Sequence, residues 1–270
     1  MRFSNILVSI FAAVGSIAPA WAQETDPPQP ITVSGSASVA SDYRFRGVSQ
    51  SDKEVALQGG ITIAHESGFY IATWGSNLAG WGTFGGANIE LDLVAGYKGE
   101  VGNAAYDVGV TWYTYPGGAD ETDVVELYGK VSGTAGPANL TAGVFYAPKQ
   151  TSLGNFMAHP DGDRDDNLYL SGDGTVGIPN TPLTAKAHIG YSNGNPGLGP
   201  NGTSLSPTGE YFDWLLGVDA TWNQLTLGVA YVDTDITRRE SAYLGSGFAK
   251  TTNGSPIAAS TVVVSLTAAF

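Results

Sequence analysis

The sequence contains no cysteine, only three histidines and only 14% charged residues. Without cysteine, an exported chain has no disulfides and must be held together by backbone pairing and packing. Beyond its first 22 residues it has no run of about 20 apolar residues, which a membrane-spanning helix needs. The formal net charge of −13 disfavours nucleic acid as a partner, because nucleic-acid binding relies on Lys and Arg. These absences direct attention to a β-rich fold.

The amino terminus has the features of a secretory signal peptide. Arg2 supplies the positive charge, residues 6–18 form a small apolar core, and Ala20-Trp21-Ala22 matches an A-x-A cleavage site. We therefore expect residues 1–22 to be a signal peptide, 23–30 a flexible Pro-rich linker and 31–270 the folded domain. The alternative interpretation is a buried first strand or an anchoring helix.

The last ten residues show a clear β pattern. Val262, Val264, Leu266, Ala268 and Phe270 fall on one side of an extended strand, because successive side chains alternate between faces. A tilted strand of about 9–11 residues is long enough to cross a bilayer. The terminal Phe270 resembles the sorting signal that bacterial outer-membrane barrels present to the barrel assembly machinery. The alternative is the edge strand of a soluble β-sandwich.

The same alternation recurs along the whole chain. Twelve segments show it: 31–45, 55–63, 69–76, 88–98, 106–113, 125–131, 140–146, 167–172, 183–192, 212–220, 225–231 and 261–270. Connections after even-numbered segments are mostly short and those after odd-numbered segments mostly long, although 175–182 is longer than this rule allows. Short turns at one end and long loops at the other are typical of outer-membrane barrels. We predict an all-β fold, an antiparallel transmembrane β-barrel of about 12 strands with short periplasmic turns and long extracellular loops.

Aromatic residues near the segment ends support the same prediction. They fall on the apolar face, where amphipathic rings sit at the level of lipid headgroups. The set comprises Tyr43, Phe45, Tyr97, Tyr106, Trp112, Tyr146, Tyr191, Phe212, Tyr231 and Phe270.

The sequence offers little for catalysis or for a bound cofactor. His188 and Ser192 share a strand face but lie roughly 13 Å apart along it, too far for a direct hydrogen bond. Residues 161–167 begin like a calcium-binding loop, but Asp166 replaces the required Gly and no Glu follows at position twelve. We interpret that segment as a solvated surface loop. We expect no enzymatic activity, no cofactor and no metal site.

Charged residues on the face opposite the apolar band are the better functional clue. Because charge on the lipid face costs about 2–4 kcal/mol for Lys or Arg at the midplane, these side chains are expected to face the lumen. The candidate pore-lining residues are Arg44, Arg46, Glu90, Asp92, Asp107, Glu126, Lys130, Lys186, His188, Asp213 and Asp219, with Lys98 beside them. An acidic lining would favour cations. The alternative is that acids and bases pair and fill the interior.

Several stretches together are similar to the TorF family of proteobacterial porins. They are SDYRFRGVSQ at 41–50, AHESGFY at 64–70, WGSN at 74–77, ELDL at 90–93, YTYPG at 113–117, EYFDW at 210–214 and YVDTD at 231–235. The resemblance covers essentially the mature chain and implies an outer-membrane β-barrel classed as a porin. It brings no established substrate or catalytic residue, and the pore-lining candidates come from the strand pattern.

Together these patterns predict a channel in the bacterial outer membrane. We expect passive diffusion of small hydrophilic solutes or ions, with cations preferred, and contact with outer-membrane lipid. The alternative is a closed barrel that binds or adheres through its outer loops. An outer-membrane hydrolase is disfavoured by the His188–Ser192 spacing.

Overall fold

The computed structural model describes residues 30–270, and twelve antiparallel strands in it close into a barrel. The expected signal peptide and nearly all of the expected linker lie outside the described residues. A two-stranded hairpin, β2 and β3, lies apart from the barrel sheet. The strands are β1 Ile31–Ala40, β2 Arg44–Phe45, β3 Val48–Ser49, β4 Ala56–His65, β5 Phe69–Asn77, β6 Ile89–Val101, β7 Ala104–Thr114, β8 Val124–Ala135, β9 Ala138–Gln150, β10 Asp165–Gly177, β11 Leu183–Gly194, β12 Tyr211–Trp222, β13 Leu225–Thr234 and β14 Thr261–Ala269.

The first and last strands, β1 and β14, close the barrel. Strand β14 pairs with β13 on one side and with β1 on the other, where Ala40 faces Ser265. The backbone of Phe270 extends this closure, since its N–H donates to Gly35 O at 2.9 Å and its carbonyl accepts from Gly35 N at 2.8 Å. A closed sheet leaves no unpaired edge, which accounts for a stable fold without disulfides.

The two faces of each strand differ as the alternation requires. On β14, Val262, Val264 and Leu266 are exposed, whereas Val263 and Ser265 point into the barrel and are buried. Every barrel strand carries at least one large apolar side chain exposed on its outward face, and most carry several. Such a surface belongs in lipid, so the fold is a transmembrane β-barrel. The described residues contain no helix long and apolar enough to cross a bilayer.

Connection lengths follow the predicted parity. The turn end of the barrel holds the connections 66–68, 102–103, 136–137, 178–182 and 223–224. The loop end holds 41–55, 78–88, 115–123, 151–164, 195–210 and 235–260. Gly102 and Gly136 begin two-residue turns with φ of +62° and +61°, a conformation that favours glycine. The expected long connection 175–182 is shorter than predicted, because β10 continues to Gly177.

Inward-facing glycines make room for tyrosine rings on neighbouring strands. A Cβ atom added at Gly96 would come within 2.6 Å of the Tyr70 ring, and one at Gly109 would meet the Tyr128 hydroxyl. These four residues lie on one register row across β5 to β8. The rings therefore lie against the wall and narrow the interior.

The loops pack over and into the loop end of the barrel. Two clusters of buried apolar side chains, which we call the loop cap, join the loops to each other and to the strand ends. The first includes Tyr43, Leu78, Phe84, Tyr115 and Leu205, and the second includes Val48, Tyr211, Leu244, Phe248 and Ile257. Through these clusters the loops close over that end of the barrel.

The structure corrects one part of the strand pattern. We expected the first segment to run to residue 45 and to place Tyr43 and Phe45 on the lipid face. Strand β1 ends at Ala40, and Tyr43 is buried in the loop cap with Phe45 packed against it. The chain turns inward after residue 41, so the alternation there belongs to a different element. The outward positions of Trp112, Phe212 and Tyr231 are confirmed.

Candidate functional site

Residues 42–51 form an inner hairpin that folds into the loop end of the barrel. Strands β2 and β3 pair through Arg44 with Ser49. Arg46 and Gly47 both have positive φ, +46° and +78°, which reverses the chain sharply. Asp42 holds the base of the hairpin, because its carboxylate accepts hydrogen bonds from Ser49 Oγ and Arg44 Nε, both at 2.6 Å. The hairpin thus carries two arginines, Arg44 on β2 and Arg46 at its tip.

Arg46 fixes the tip of the inner hairpin to the barrel wall. Its guanidinium donates to Glu126 Oε1 at 2.5 Å and to Asn167 Oδ1 at 2.8 Å. It also lies over the rings of Tyr169, at 4.2 Å, and Phe45, at 4.8 Å. Burial lowers the pKa of Arg46, but the charge and hydrogen bond of Glu126, together with Tyr113 and Tyr169, more than offset this and raise the pKa above its ordinary value. Arg46 therefore stays charged, and only 5% of it is exposed.

Arg44 ties the same hairpin to the last long loop. Its Nη1 donates to the carbonyl oxygens of Gly47 at 2.8 Å, Ile257 at 2.7 Å and Ala259 at 3.2 Å. Asp42 supplies the counter-charge at 2.6 Å. Arg44 is thus enclosed in the loop cap.

Three carboxylates face the inner hairpin from the wall, and we call Glu90, Asp92 and Glu126 the buried acidic group. Each is at most 3% exposed. Glu126 has two partners, since Arg46 pairs with one oxygen and the Tyr113 hydroxyl donates to the other at 2.8 Å. Glu90 accepts from the Tyr43 hydroxyl at 3.0 Å. Asp92 accepts no hydrogen bond on either oxygen from the described residues.

The loop tyrosines beside this group report its negative potential. Burial, followed by the charges of Glu90 and Asp92, raises the pKa of Tyr43 well above its ordinary value. The same causes, in the same order, raise the pKa of Tyr115. Both phenols therefore stay protonated, and their hydroxyls face a region that is rich in negative charge.

A small cavity lies between the inner hairpin and the wall. Its volume is about 10 Å³, which is roughly the space of one water molecule or one small ion. The polar side chains that line it belong to Gln50, Glu90, Tyr115 and Ser204. At this level, loop side chains fill most of the interior.

Toward the turn end, a second charged set lies on β6 to β8. Lys98 Nζ is 4.0 Å from Asp107 Oδ2 and 4.4 Å from the Tyr70 ring centroid. The Tyr70 hydroxyl donates to Asp107 at 2.7 Å. Lys130 lies 4.9 Å from the Tyr128 ring centroid. Cations over aromatic faces are stabilised here without full desolvation.

A third charged set lies on β10 to β12. Lys186 Nζ donates to Asp219 Oδ1 at 2.6 Å. His188 lies between two carboxylates, with Nδ1 2.7 Å from Asp173 and Nε2 3.2 Å from Asp213. The ring nitrogens of His188 are thereby engaged by carboxylates, and Ser192 has no contact with them among the described hydrogen bonds.

The opposite wall of the barrel is uncharged. Among the described residues, the inward positions of β13, β14, β1, β4 and β5 carry no acidic or basic side chain. They are mostly small or hydroxylated, as in Ala230, Ser265, Ser38 and Thr62. The charges thus line an arc from β6 to β12, which makes the lumen strongly asymmetric.

The predicted site residues separate into groups. All nine strand candidates face inward, and the structure distributes them among the three charged sets just described. Sequence reasoning missed the partners Tyr43, Tyr113, Asn167 and Tyr169, because no local pattern marks them. In the calcium-loop candidate, Asp165 and Asp166 belong to β10. No three or more His, Asp or Glu of the described chain converge as a metal site would require.

Fold and interior together define a twelve-stranded transmembrane β-barrel with a charged lumen and an inward-folded loop. A family model for "Bacterial protein of unknown function (Gcw_chp)" matches residues 24–270, and the chain belongs to this family. No curated protein matches the sequence.

Solved structures share the fold at low sequence identity. The NanC porin matches with a TM-score of 0.52 and 10% identity over 88% of this chain and 99% of that chain. The KdgM porin matches with a TM-score of 0.52 and 9% identity over the same shares. KdgM in complex with disordered oligogalacturonate matches with a TM-score of 0.50 and 8% identity, covering 88% and 98%.

Proposed function

We propose that the protein is an outer-membrane channel for passive diffusion of small hydrophilic solutes, with a preference for cations. The observation that carries this proposal is the arc of charged side chains on the inner face of β6 to β12. Enclosing charges is costly unless they are paired or hydrated, and apolar residues would fill a closed barrel at lower cost. In a water-filled pathway these charges would be hydrated and would act on the solutes that pass.

Two further observations support the proposal. The fold is that of barrels described as porins, NanC and KdgM. The sequence motifs resemble the TorF porins, an assignment that remains a prediction. Export through the signal peptide, insertion through the barrel assembly machinery at Phe270 and residence in the outer membrane belong to the same proposal.

In this proposal the inner hairpin is the constriction of the channel. It occupies the loop end of the lumen and is held to the wall through Arg46, Glu126 and Asn167. The hairpin is also held by apolar packing, because Tyr43, Phe45 and Val48 contact the loop cap. Conduction therefore depends on displacement of this hairpin, and the resting conductance is small.

Cation preference follows from the charge distribution at the constriction. Among the described residues, Arg46 is the cation paired within the acidic set of Glu90, Asp92 and Glu126, and it pairs with Glu126. Toward the turn end, Lys98, Lys130 and Lys186 balance nearby Asp residues. The constriction thus carries the net negative charge, and a narrow acidic segment selects for cations.

Planar-bilayer recording of the purified full chain tests the proposal. We expect discrete conductance steps and a reversal potential in a KCl gradient on the cation-selective side. The channel is refuted if neither the wild type nor a chain lacking residues 42–51 shows conductance steps above lipid background. If conductance steps occur with an anion-selective reversal potential, the channel proposal stands and the cation preference is refuted.

The loop cap favours a second function, that of a closed barrel that binds partners through its loops. Its two apolar clusters give the loops a defined shape, as a recognition surface needs. This alternative predicts no conductance in either chain. It further predicts that chimaeras with exchanged loops lose surface binding while the barrel still assembles.

A further inference from the structure

We propose that Asp92 is a proton switch for the inner hairpin: the hairpin docks on the wall while Asp92 is protonated and is released when Asp92 ionises. On release the proton passes to water, and water hydrates the carboxylate. The switch would supply the displacement that the proposed channel needs. It concerns the docking of residues 42–51 alone, so it holds equally for a barrel that does not conduct.

The first observation is the position of Asp92 beside the contacts between the inner hairpin and the wall. Its direct cross-strand neighbours are Trp74 on β5 and Tyr113 on β7, and the Cβ atoms of such pairs lie about 4.5–5.5 Å apart. The Tyr43 ring of the hairpin lies 5.3 Å from the Trp74 ring. The Phe45 ring lies 5.9 Å from the Tyr113 ring. A change in the charge or hydration of Asp92 therefore acts next to both contacts.

The second observation is the enclosure of Asp92 in the docked state. It is 0% exposed, and no described residue donates a hydrogen bond to either of its carboxylate oxygens. The charges that act on it are those of Glu90 and Glu126, both negative. A buried carboxylate without a donor or a counter-charge is costly, and taking up a proton removes that charge. The docked hairpin therefore favours the protonated form of Asp92.

The other titratable groups around Asp92 do not supply a counter-charge. They are Glu90 on β6, Tyr113 on β7, Glu126 on β8, Tyr43 in the inner hairpin and Tyr115 in the loop 115–123. Tyr43 donates its hydroxyl to Glu90 at 3.0 Å. Glu126 accepts from Tyr113 at 2.8 Å and pairs with Arg46. Both neighbouring acids thus have a donor, and Asp92 has none among the described residues.

The pH dependence of docking has a definite sign. Docking binds a proton that the released, hydrated carboxylate gives up, so docking is strongest in acid and weakens as the pH rises. Above about pH 3.9, where an exposed Asp titrates, each pH unit weakens docking by up to tenfold. The ion pair of Arg46 with Glu126 responds in the opposite sense, because protonation of Glu126 would break it. A loss of docking at higher pH therefore distinguishes the switch from that ion pair.

Hydrogen exchange of the inner hairpin tests the switch. The full chain is studied in detergent, and the exchange rates are corrected for intrinsic rates at each pH. A short two-stranded hairpin is marginally stable unless it is packed, so its amides exchange quickly once it is released. Between about pH 5 and about pH 9 the corrected rate of residues 42–51 should rise at least tenfold. The turn-end residues 99–106 should keep their corrected rate.

Three substitutions on β6 assign this response. Asp92→Asn is nearly isosteric and cannot ionise, so exchange in residues 42–51 should stay slow at both pH values. Glu100→Gln is the matched control and should respond as the wild type, since Glu100 lies on the same face of β6 but is exposed at the turn end. Glu90→Gln keeps an acceptor oxygen for the Tyr43 hydroxyl. It removes a negative charge that acts on Asp92 and should make the rise smaller.

Each result decides for or against the switch. A wild-type rate that is the same at both pH values overturns it. It is also overturned if Asp92→Asn responds as the wild type does, or exchanges quickly at both pH values. If Asp92→Asn does not assemble, Glu90→Gln decides, and a rise as large as that of the wild type overturns the proposal. A pH-dependent hairpin in a barrel without conductance supports the switch and refutes the channel.

Discussion

The loop end and the turn end of the lumen use the same inner face of the same strands, yet they treat charge differently. At the loop end, Glu90 and Asp92 are enclosed, and neither pairs with a basic side chain among the described residues. At the turn end, Lys98 lies near Asp107, and the side chains of both are 16–17% exposed. The Asp173 side chain is 42% exposed although it contacts His188. Water therefore reaches Lys98, Asp107 and Asp173, and it is kept from Glu90 and Asp92. Asp219, although it lies toward the turn end, is also buried, beside Lys186.

The difference arises from the loops and not from the barrel. The inner hairpin and the loop cap fold into one end only, because short turns at the other end cannot reach inward. A charge that would be hydrated in an open barrel becomes buried beneath the hairpin. Electrostatic properties of the lumen thus depend on loop packing, which strand alternation does not encode.

The largest expected effect comes from removing the charge that holds the hairpin. Arg46→Met leaves Glu126 buried without a counter-charge, and loss of one partner of a buried pair costs about 3–5 kcal/mol. We expect a lower unfolding temperature in detergent and, if the barrel conducts, a larger and more frequent conductance step. The control Arg164→Met removes an arginine from a loop outside the lumen and should change neither.

A double variant separates a charge effect from a packing effect in that result. Arg46→Met with Glu126→Gln removes both charges and keeps the hydrogen bond that Tyr113 donates. Most of the lost stability should return in the double variant, because no unpaired charge remains. If the double variant is as unstable as Arg46→Met, the ion pair is not what holds the hairpin.

Alternation predicted the barrel well because it is a local property of each strand. The twelve strands and the parity of the connections follow from period-2 patterns and turn residues. Every barrel strand carries its own copy of the signal. A closed sheet then follows from the need to pair every edge in lipid.

The inner hairpin escaped prediction because its residues continue the alternation of β1. Tyr43 and Phe45 are spaced like lipid-facing residues, and only the Arg46-Gly47 reversal distinguishes them. The contact between Arg46 and Glu126 joins residues 80 positions apart. The sequence predicts that Glu126 and Asp92 face inward. It does not predict that Glu126 pairs with Arg46 or that Asp92 has no hydrogen-bond donor among the described residues, because both depend on long-range packing.

The next largest effect is expected where inward glycines make room for tyrosine rings toward the turn end. Gly109→Ala places a Cβ 2.6 Å from Ala95 O and closer still to the Tyr128 hydroxyl. Overpacking of this kind costs about 1–3 kcal/mol. The matched control on the neighbouring strand is Gly129→Ala, whose outward Cβ would meet Val144 at an ordinary 3.7 Å. Chemical unfolding of both variants in detergent measures the contrast, and equal stabilities contradict the proposed fit.

A smaller effect is expected from the ion pair toward the turn end. Lys186→Met removes the partner of Asp219, a carboxylate that is only 2% exposed. The lysine bonded to it is 11% exposed, so its removal lets water reach Asp219 in part. We expect a loss of about 1–2 kcal/mol, less than for Arg46→Met. In a conducting barrel the reversal potential should also move toward stronger cation preference. Lys186→Arg keeps the charge and should leave the reversal potential unchanged. A shift of the reversal potential in Lys186→Arg would mean that side-chain volume, and not charge, causes the change.

The smallest effect concerns a half-buried carboxylate in the loop 151–164. Asp163 Oδ2 accepts the backbone N–H of Asn155 at 2.9 Å, and this hydrogen bond lowers the pKa of Asp163 below its ordinary 3.8. Because the folded pKa is depressed, the stabilisation is present above the ordinary pKa and is lost as the pH falls through the folded value. Hydrogen exchange in this loop, corrected for intrinsic rates, should therefore rise between about pH 6 and about pH 2.5. Asp163→Ala should exchange rapidly at both pH values, whereas the neighbouring control Asp161→Ala should behave as the wild type. If hydrogen exchange in Asp163→Ala still rises at acid pH, the titrating group is another residue. The comparison of the two ends of the lumen would then have to include other loop carboxylates.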